Sequence, residues 1–492
     1  MYTLGIDIGS SSVKISAMNV VSGECEASAT LPSKEMEIKA IKAGWAEQNP
    51  LLWWDYVCEG INLVGSVIDN SKIEAIGITY QMHGLVCVDK EGNPLRDAII
   101  WCDSRAVEIG AKALEDLGGD KCLDKTLNSP GNFTASKLAW VKENEPQIFE
   151  KIYKFMLPGD FIALKLSDDF ATTTSGLSEQ ILWDFKAGKR ADFIAENYGI
   201  QLDTIANDKP SIAVQCHTTK KIEDLLGIKE GTPISYRAGD QPNNAFSLNV
   251  MDSGEIAATG GTSGVVYGVT DTAQYDKLSR VNTFLHVNHS KQNPRYGVLL
   301  CINGTGILNA WVKRNMADEL SYEQVNKMCE SVAVGSDGVL MLPFGNGAER
   351  MLENSYTGAT ISGLDLNRHT KANVLRAAQE GIAYSFRYGV DIMRSIGVEP
   401  KVIRAGKANM FLSEIFRETL ATLCDARIEL YNTDGALGAA RGAALGAGIY
   451  KNREEAFKSL TKLETIEPNP LMKDVLEAGY QRWLAELNWR VR

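Results

Sequence analysis

Residues 2 to 8 (YTLGIDI) and 13 to 20 read as two short strands joined by the small-residue turn Gly9–Ser12, and the same plan recurs about halfway along the chain. There, Glu255–Thr259 leads into Gly260, Gly261, Thr262, Ser263 and Gly264, followed by Val265, Val266 and Tyr267. Alternating strands around a polar, glycine-bearing turn are a hairpin signal. Two such hairpins so far apart point to a duplication, and hence to two comparable folding halves. Length agrees, because 492 residues exceed what one hydrophobic core organises. Strand-like runs at Ala75–Thr79 and Leu85–Val88 alternate with helical stretches at Leu51–Ile68, Ser104–Leu117 and Thr134–Lys142. Further on, Tyr296–Ile302 reads as a strand, and Gly306–Asn315 and Lys371–Ser395 as helices. The spacing therefore predicts mixed α/β domains over residues 1–250 and 251–492. The boundary falls just after an amphipathic segment that begins at Asp240.

Charge narrows the partners. A formal net charge of -11 and no dense Lys/Arg block leave no electrostatic footprint for a nucleic acid or an anionic membrane, so small-molecule chemistry is favoured. No apolar run approaches the roughly 20 residues of a membrane span, and Asp7 interrupts the apolar start, which also lacks the basic stretch of a secretory signal. A cytoplasmic location is expected. The nine cysteines form no CxxC pair and no zinc-ligand spacing, and are expected to be reduced core residues.

No GxxxxGK[ST] loop and no GxGxxG after the first strand are present, so a nucleotide here would not use either common cradle. The two hairpin turns offer another. Small side chains at Ser10, Ser11, Ser12, Gly261, Thr262 and Ser263 let backbone N–H groups and hydroxyls approach phosphate oxygens, and Asp7 at a strand end is placed to hold magnesium. Each turn by itself is equally an ordinary hairpin turn.

The motifs DIGSSSVK, GWAEQNP (44–50), QMHG (81–84), AGDQ (238–241) and TGGTSG (259–264) together resemble the FGGY family of carbohydrate kinases. FTASKLAW (133–140), SGLDLNRHTKANVLRAAQEGIAY (362–384) and ALGAARGAALGAG (436–448) resemble the family's longer signatures and its carboxy-terminal helix. The resemblance implies two actin-like, ribonuclease H-like domains around a nucleotide and sugar cleft, with ATP and magnesium between them, sugar bound mainly by the first domain, and the second the nucleotide-binding one. It leaves oligomeric state open, a homodimer included.

The resemblance also assigns roles. Asp240 would be the base that takes the proton from the attacking sugar hydroxyl, although Asp also suits a helix N-cap before Gln241. Asp7 would meet magnesium and phosphates. Met82 and His83 stand where the family's xylulose kinases carry a Met-His pair and its glycerol kinases an Arg-Glu pair, which points to a ketose. Core packing of Met82 and a backbone-satisfied His83 are the alternatives. Trp101 and Asp103 match a Trp and acid near the sugar, or else are core and helix cap. Gly304, Gly406 and Asn409 are expected on the nucleotide side. Two departures stand out: the usual glycine triplet near the adenine is Arg404-Ala405-Gly406-Lys407-Ala408-Asn409, and Asn132 replaces a small or aromatic residue at a position expected to lie away from the site. An actin-like ATPase or a sugar-binding protein without kinase activity is the reading from another class.

Overall fold

Alternation along β1 (Tyr2–Ile8) sets the architecture of the first half. Leu4, Ile6 and Ile8 alternate with Thr3, Gly5 and Asp7, so the two sets point to opposite faces of the sheet. In the computed structural model, which describes residues 1–491, the chain divides into two units. The first comprises Met1–Asn249, Phe284–Arg295 and Thr433–Leu460, and the second the remaining described residues.

The first unit is built on β1, β2 (Val13–Asn19), β3 (Cys25–Leu31), β4 (Ile73–Tyr80), β5 (Ile212–His217) and β6 (Pro233–Gly239), in the order β5-β6-β4-β1-β2-β3. Strands β1, β2 and β3 are antiparallel neighbours, β1, β4 and β6 run parallel, and β5 returns antiparallel at the edge. One face carries Leu4, Ile6, Ile8 and Ile15, all buried beneath α1 (Pro50–Gly65) with its Trp53, Val57 and Ile61. Helix α1 begins with Asn49 accepting the Leu51 N–H and with Pro50 at its first position, both favourable at a helix start.

The other face lacks side chains at its centre. Gly5 and Gly77 lie side by side on β1 and β4. The helix Gly435–Gly446, built almost wholly of Gly and Ala, rests in the trough between them. A Cβ on Gly5 would lie 1.7 Å from the Ala436 carbonyl oxygen, and one on Gly77 would lie 2.0 Å from that of Ala439. Backbone meets backbone here, so neither position tolerates a side chain. This packing draws Thr433–Leu460 into the first unit, far from where linear sequence leaves it.

The second unit repeats the plan. Of its sheet, the strands wholly within the unit are β7 (Glu255–Gly260), β8 (Gly264–Thr270), β9 (Tyr296–Ile302), β10 (Val402–Gly406), β11 (Arg427–Tyr431) and β12 (Lys462–Ile466), ordered β9-β8-β7-β10-β11-β12. Again three antiparallel strands are followed by parallel partners and an antiparallel edge. The hairpin repeat seen in the sequence thus extends to the whole sheet. The helix expected over Lys371–Ser395 spans those residues, opening on a capping box at Thr370 and Asn373. The helix expected from Ser104 begins at Val107 instead, because the Asp103 carboxylate accepts the Arg105 N–H and holds the intervening residues in a turn.

Substituting Gly77→Val would press two methyl groups into an unyielding carbonyl. A loss of ~3 kcal/mol is expected, read as a lower denaturant midpoint than wild type in equilibrium unfolding.

Candidate active site

Three neighbouring parallel strands of the first unit end at one level: Ile8 on β1 pairs with Tyr80 on β4, and Tyr80 with Gly239 on β6. The next residues along each strand are the Gly9–Ser12 turn, the Gln81–Gly84 turn and Asp240. In open α/β sheets the carboxyl ends of parallel strands are where ligands bind. Asp7, Met82, His83 and Asp240, singled out from separate motifs, are brought to one end of one sheet.

Glutamine side chains tie the turns together. Gln48 donates through Nε2 to the Ser10 carbonyl at 2.7 Å, while its Oε1 accepts from Gln81 Nε2 at 3.1 Å and from Trp53 Nε1 at 3.2 Å. The Gln81 N–H donates to the Ile8 carbonyl at 2.8 Å. Gln48 and Gln81 lie inside recognised motifs, yet nothing in their spacing showed that they bridge.

Asp240 is the first residue of α2 (Asp240–Ser247), after a Gly239 N-cap that has no capping side chain. Its carboxyl is pushed up to about 6 by burial, against hydrogen bonds from Gln241 and its own backbone. Asp7 lies against the start of the Gly435–Gly446 helix: a Cβ on Gly435 would come within 2.2 Å of its Oδ2. Burial first, then the like charges of Asp240 and Asp434, push the Asp7 carboxyl up to about 7, with Lys14 opposing. Lys14 pairs with Asp434 at 2.7 Å. Carboxylates have been gathered here beyond what local cations neutralise.

Met82 is buried, and a Cβ on Gly239 would meet its Cγ at 2.6 Å, so the turn packs on the residue before Asp240. His83 is half-buried in the left-handed region, at φ 59°. Its N–H donates to Glu179 Oε1 at 2.9 Å, its carbonyl accepts from Lys137 Nζ at 2.8 Å, and its Nδ1 lies 3.1 Å from the Glu179 carbonyl oxygen. A carbonyl only accepts, so Nδ1 carries the proton and Nε2 is the ring's acceptor when neutral. Phe133 and Phe284 pack on the ring at 4.9 and 5.4 Å between centroids. Lys137, fully buried, is pushed down to about 7 by desolvation, which Asp103 and Cys102 oppose.

Trp101 is 50% exposed, so it is no core residue. Asp103 is fully buried, and its carboxylate accepts from the Ala46 N–H at 2.6 Å and from Arg105 Nη2 at 2.6 Å. Arg105 in turn stacks 3.8 Å over Trp45 and pairs with Glu47 at 2.7 Å. Asn132, expected away from the site, donates to the Asp103 carbonyl and so reaches this segment.

In the second unit, the Gly260–Gly264 turn ends β7 as the first turn ends β1. The opening amides of the helix Gly306–Met316 dock on it: Gly306 N–H donates to the Gly261 carbonyl at 2.8 Å and Ile307 N–H to that of Thr262 at 3.1 Å. Ser263 Oγ donates to Asn303 at 3.3 Å, and Gly304 holds φ 86° against Pro343, where a Cβ would lie 1.8 Å from a carbonyl oxygen. Asn409 Nδ2 lies 3.9 Å from where a Cβ on Gly261 would be. Gly261, Thr262, Ser263, Gly304 and Asn409 are therefore neighbours, and Gly406 ends the adjoining strand β10. Arg404 belongs to that strand, not to a loop. Its guanidinium pairs with Glu255 and Glu429 at 3.0 Å each, forming a ladder across β7, β10 and β11, and Ala405 is fully buried.

The family model described as the FGGY family of carbohydrate kinases, N-terminal domain, matches residues 2–247, and the corresponding C-terminal domain matches residues 256–449. The chain belongs to the FGGY family of carbohydrate kinases. Among similar proteins, the xylulose kinase of Bacillus subtilis is 30% identical over 470 residues, covering 94% of this chain and 91% of that one. The xylulose kinase of Staphylococcus epidermidis is 29% identical over 490 residues, covering 97% and 94%. The solved xylulose kinase of Rhodospirillum rubrum has the same fold, with a TM-score of 0.88 at 23% identity over 99% of this chain and 98% of that one. The gluconate kinase of Lactobacillus acidophilus gives 0.89 at 22% identity over 100% and 98%. The sheet order repeated in both units is thus the actin-like, ribonuclease H-like architecture of FGGY kinases, and the chain is an enzyme of that class.

A carboxyl whose pKa is raised by folding adds stability that is whole below its unfolded value and lost as pH climbs through the folded one. For Asp7 of this FGGY kinase that window runs from about 4 to about 7. Asp7→Asn should therefore melt above wild type at pH 8 without nucleotide, with the advantage vanishing near pH 4, in thermal scans at both pH values.

Proposed function

We propose that this FGGY kinase transfers the γ-phosphate of ATP to the terminal primary hydroxyl of D-xylulose, giving D-xylulose 5-phosphate. The observation that carries the reading is the shared level of Asp7, the Met82–His83 turn and Asp240 at the ends of three adjacent strands. The names of the relatives that align along nearly the whole chain support the sugar.

Asp240 is assigned the base. Its carboxylate accepts the hydroxyl proton as oxygen attacks phosphorus, so it must be ionised in the productive complex. A raised pKa makes it a better acceptor while leaving it mostly ionised at neutral pH. His83 Nε2 accepts from a sugar hydroxyl, Met82 lines the same turn, and the exposed face of Trp101 covers sugar C–H groups. Asp103, held by Arg105, keeps that segment in place. The turns Ser10–Ser12 and Gly261–Ser263, with Gly304, Gly406 and Asn409, are assigned to ATP, their N–H groups and hydroxyls aimed at phosphate charge that spreads in a loose transition state. Residues 1–250 then form the sugar-binding domain and 251–492 the nucleotide-binding one.

Magnesium fits the carboxylate chemistry around Asp7, which carries more negative charge than Lys14 offsets. Among the described residues no group of three or more His, Cys, Asp or Glu side chains is arranged to hold a metal, which suits an ion bound through one carboxylate, water and phosphates. When bound with ATP it would neutralise phosphate charge, and Asp7 is the residue assigned to hold it. The cytoplasm is the proposed compartment, consistent with nine free thiols, although Cys25, Cys102 and Cys301 are exposed and so are not the core residues expected.

Full-length protein with ATP, magnesium and a panel of xylulose, ribulose, fuculose, gluconate and glycerol should release ADP fastest with D-xylulose by kcat/KM. Sugar-independent hydrolysis alone, with none of the panel accelerating it, would favour an ATPase instead. Asp240→Asn should lower kcat by about 10³-fold while ATP still binds. In wild type, kcat/KM for the sugar should fall as pH drops through about 6, the range to which burial raises Asp240.

A further inference from the structure

Buried in the first unit, the carboxyl of Glu179 touches both the sugar turn and the strand that ends at Asp240. Glu179 closes the short helix Thr174–Glu179 and is 3% exposed. Oε1 accepts the His83 N–H at 2.9 Å and Oε2 accepts the Tyr80 hydroxyl at 3.4 Å. A Cβ on Gly239 would come within 2.9 Å of Oε2, so only glycine at 239 leaves room for this carboxyl beside Met82.

His83 needs such a clamp. A non-glycine residue in the left-handed region is disfavoured and persists only where its surroundings fix it. Here the residue's N–H, carbonyl and ring Nδ1 are each held, the first and last by Glu179 and the second by Lys137. Rotating this turn would re-aim Nε2 and shift Met82. The Glu179 carboxyl itself is driven well above the usual carboxylate range by burial, with Asp160 and Asp240 adding to the rise and the His83 and Tyr80 bonds opposing it.

We infer that Glu179 is a positioning residue that fixes the left-handed Met82–His83 turn against Gly239 and thereby sets which sugar the enzyme prefers. This rests on the reading of the turn as a sugar contact. Lys137, on the opposite side of His83, is the counterpart of the clamp.

The test compares Glu179→Gln, Glu179→Asp and Glu179→Ala with wild type on the same sugar panel, using full-length protein and magnesium-ATP. Glu179→Gln keeps the length and an acceptor for the His83 N–H, and should retain kcat/KM within about threefold. Glu179→Asp withdraws the carboxyl by one methylene. It should raise KM for the preferred sugar about tenfold and shrink the kcat/KM ratio between that sugar and its epimer by a similar factor, with KM for ATP unchanged; an effect of that size is what one displaced contact produces. Glu179→Ala should do the same or more if it folds. Unaltered sugar preference in Glu179→Asp, or a loss of kcat, sugar affinity and ATP affinity in parallel with a fallen melting temperature, would overturn the inference. A wild type that transfers phosphate to no sugar would instead overturn the kinase reading beneath it.

Discussion

Backbone-to-backbone packing of a glycine- and alanine-rich helix on the first sheet is the constraint from which the site follows. Gly5 and Gly77 stand abreast on adjacent strands, and the Gly435–Gly446 helix lies so close that its carbonyls occupy the space of their missing side chains. Larger residues would lift the helix off the sheet. Because Asp7 shares a face with Gly5, the same contact brings its carboxylate onto the first turn of that helix, at Gly435. Helix N-termini favour negative charge, which offsets part of the cost of burying an acid among other acids.

That arrangement puts the Asp7 carboxyl in electrostatic reach of two others. Asp7 responds to both Asp240 and Asp434, and only Lys14 opposes them. Such crowding destabilises the empty protein and is relieved by a bound cation or by protons. The Met82–His83 turn uses a different device: its backbone N–H and carbonyl and the His83 Nδ1 are held by Glu179 and Lys137, so its direction is fixed by hydrogen bonds.

Much of the scaffold was legible because local pattern and tertiary need coincide. Lys371–Ser395 has helical spacing and a capping box, Tyr296–Ile302 is a continuous apolar run, and both form as read. Ser104–Ala106 was misread as helix, since the Asp103 side chain competes for the backbone amides there, a contest that spacing does not reveal. Arg404 reads as a residue beside a nucleotide, yet its partners Glu255 and Glu429 come from two neighbouring strands, and only strand pairing brings the three together.

The sequence by itself determined the two hairpin turns, the acids Asp7 and Asp240 near strand ends, and the family, because small residues and carboxylates at set distances along a strand are local facts. Tertiary structure decided the rest. Which strand ends share a level, which helix crosses back to the first sheet, and which buried group grips His83 all depend on residues tens to hundreds of positions apart. Nothing in a linear pattern fixes contacts of that range; strand register and close packing do.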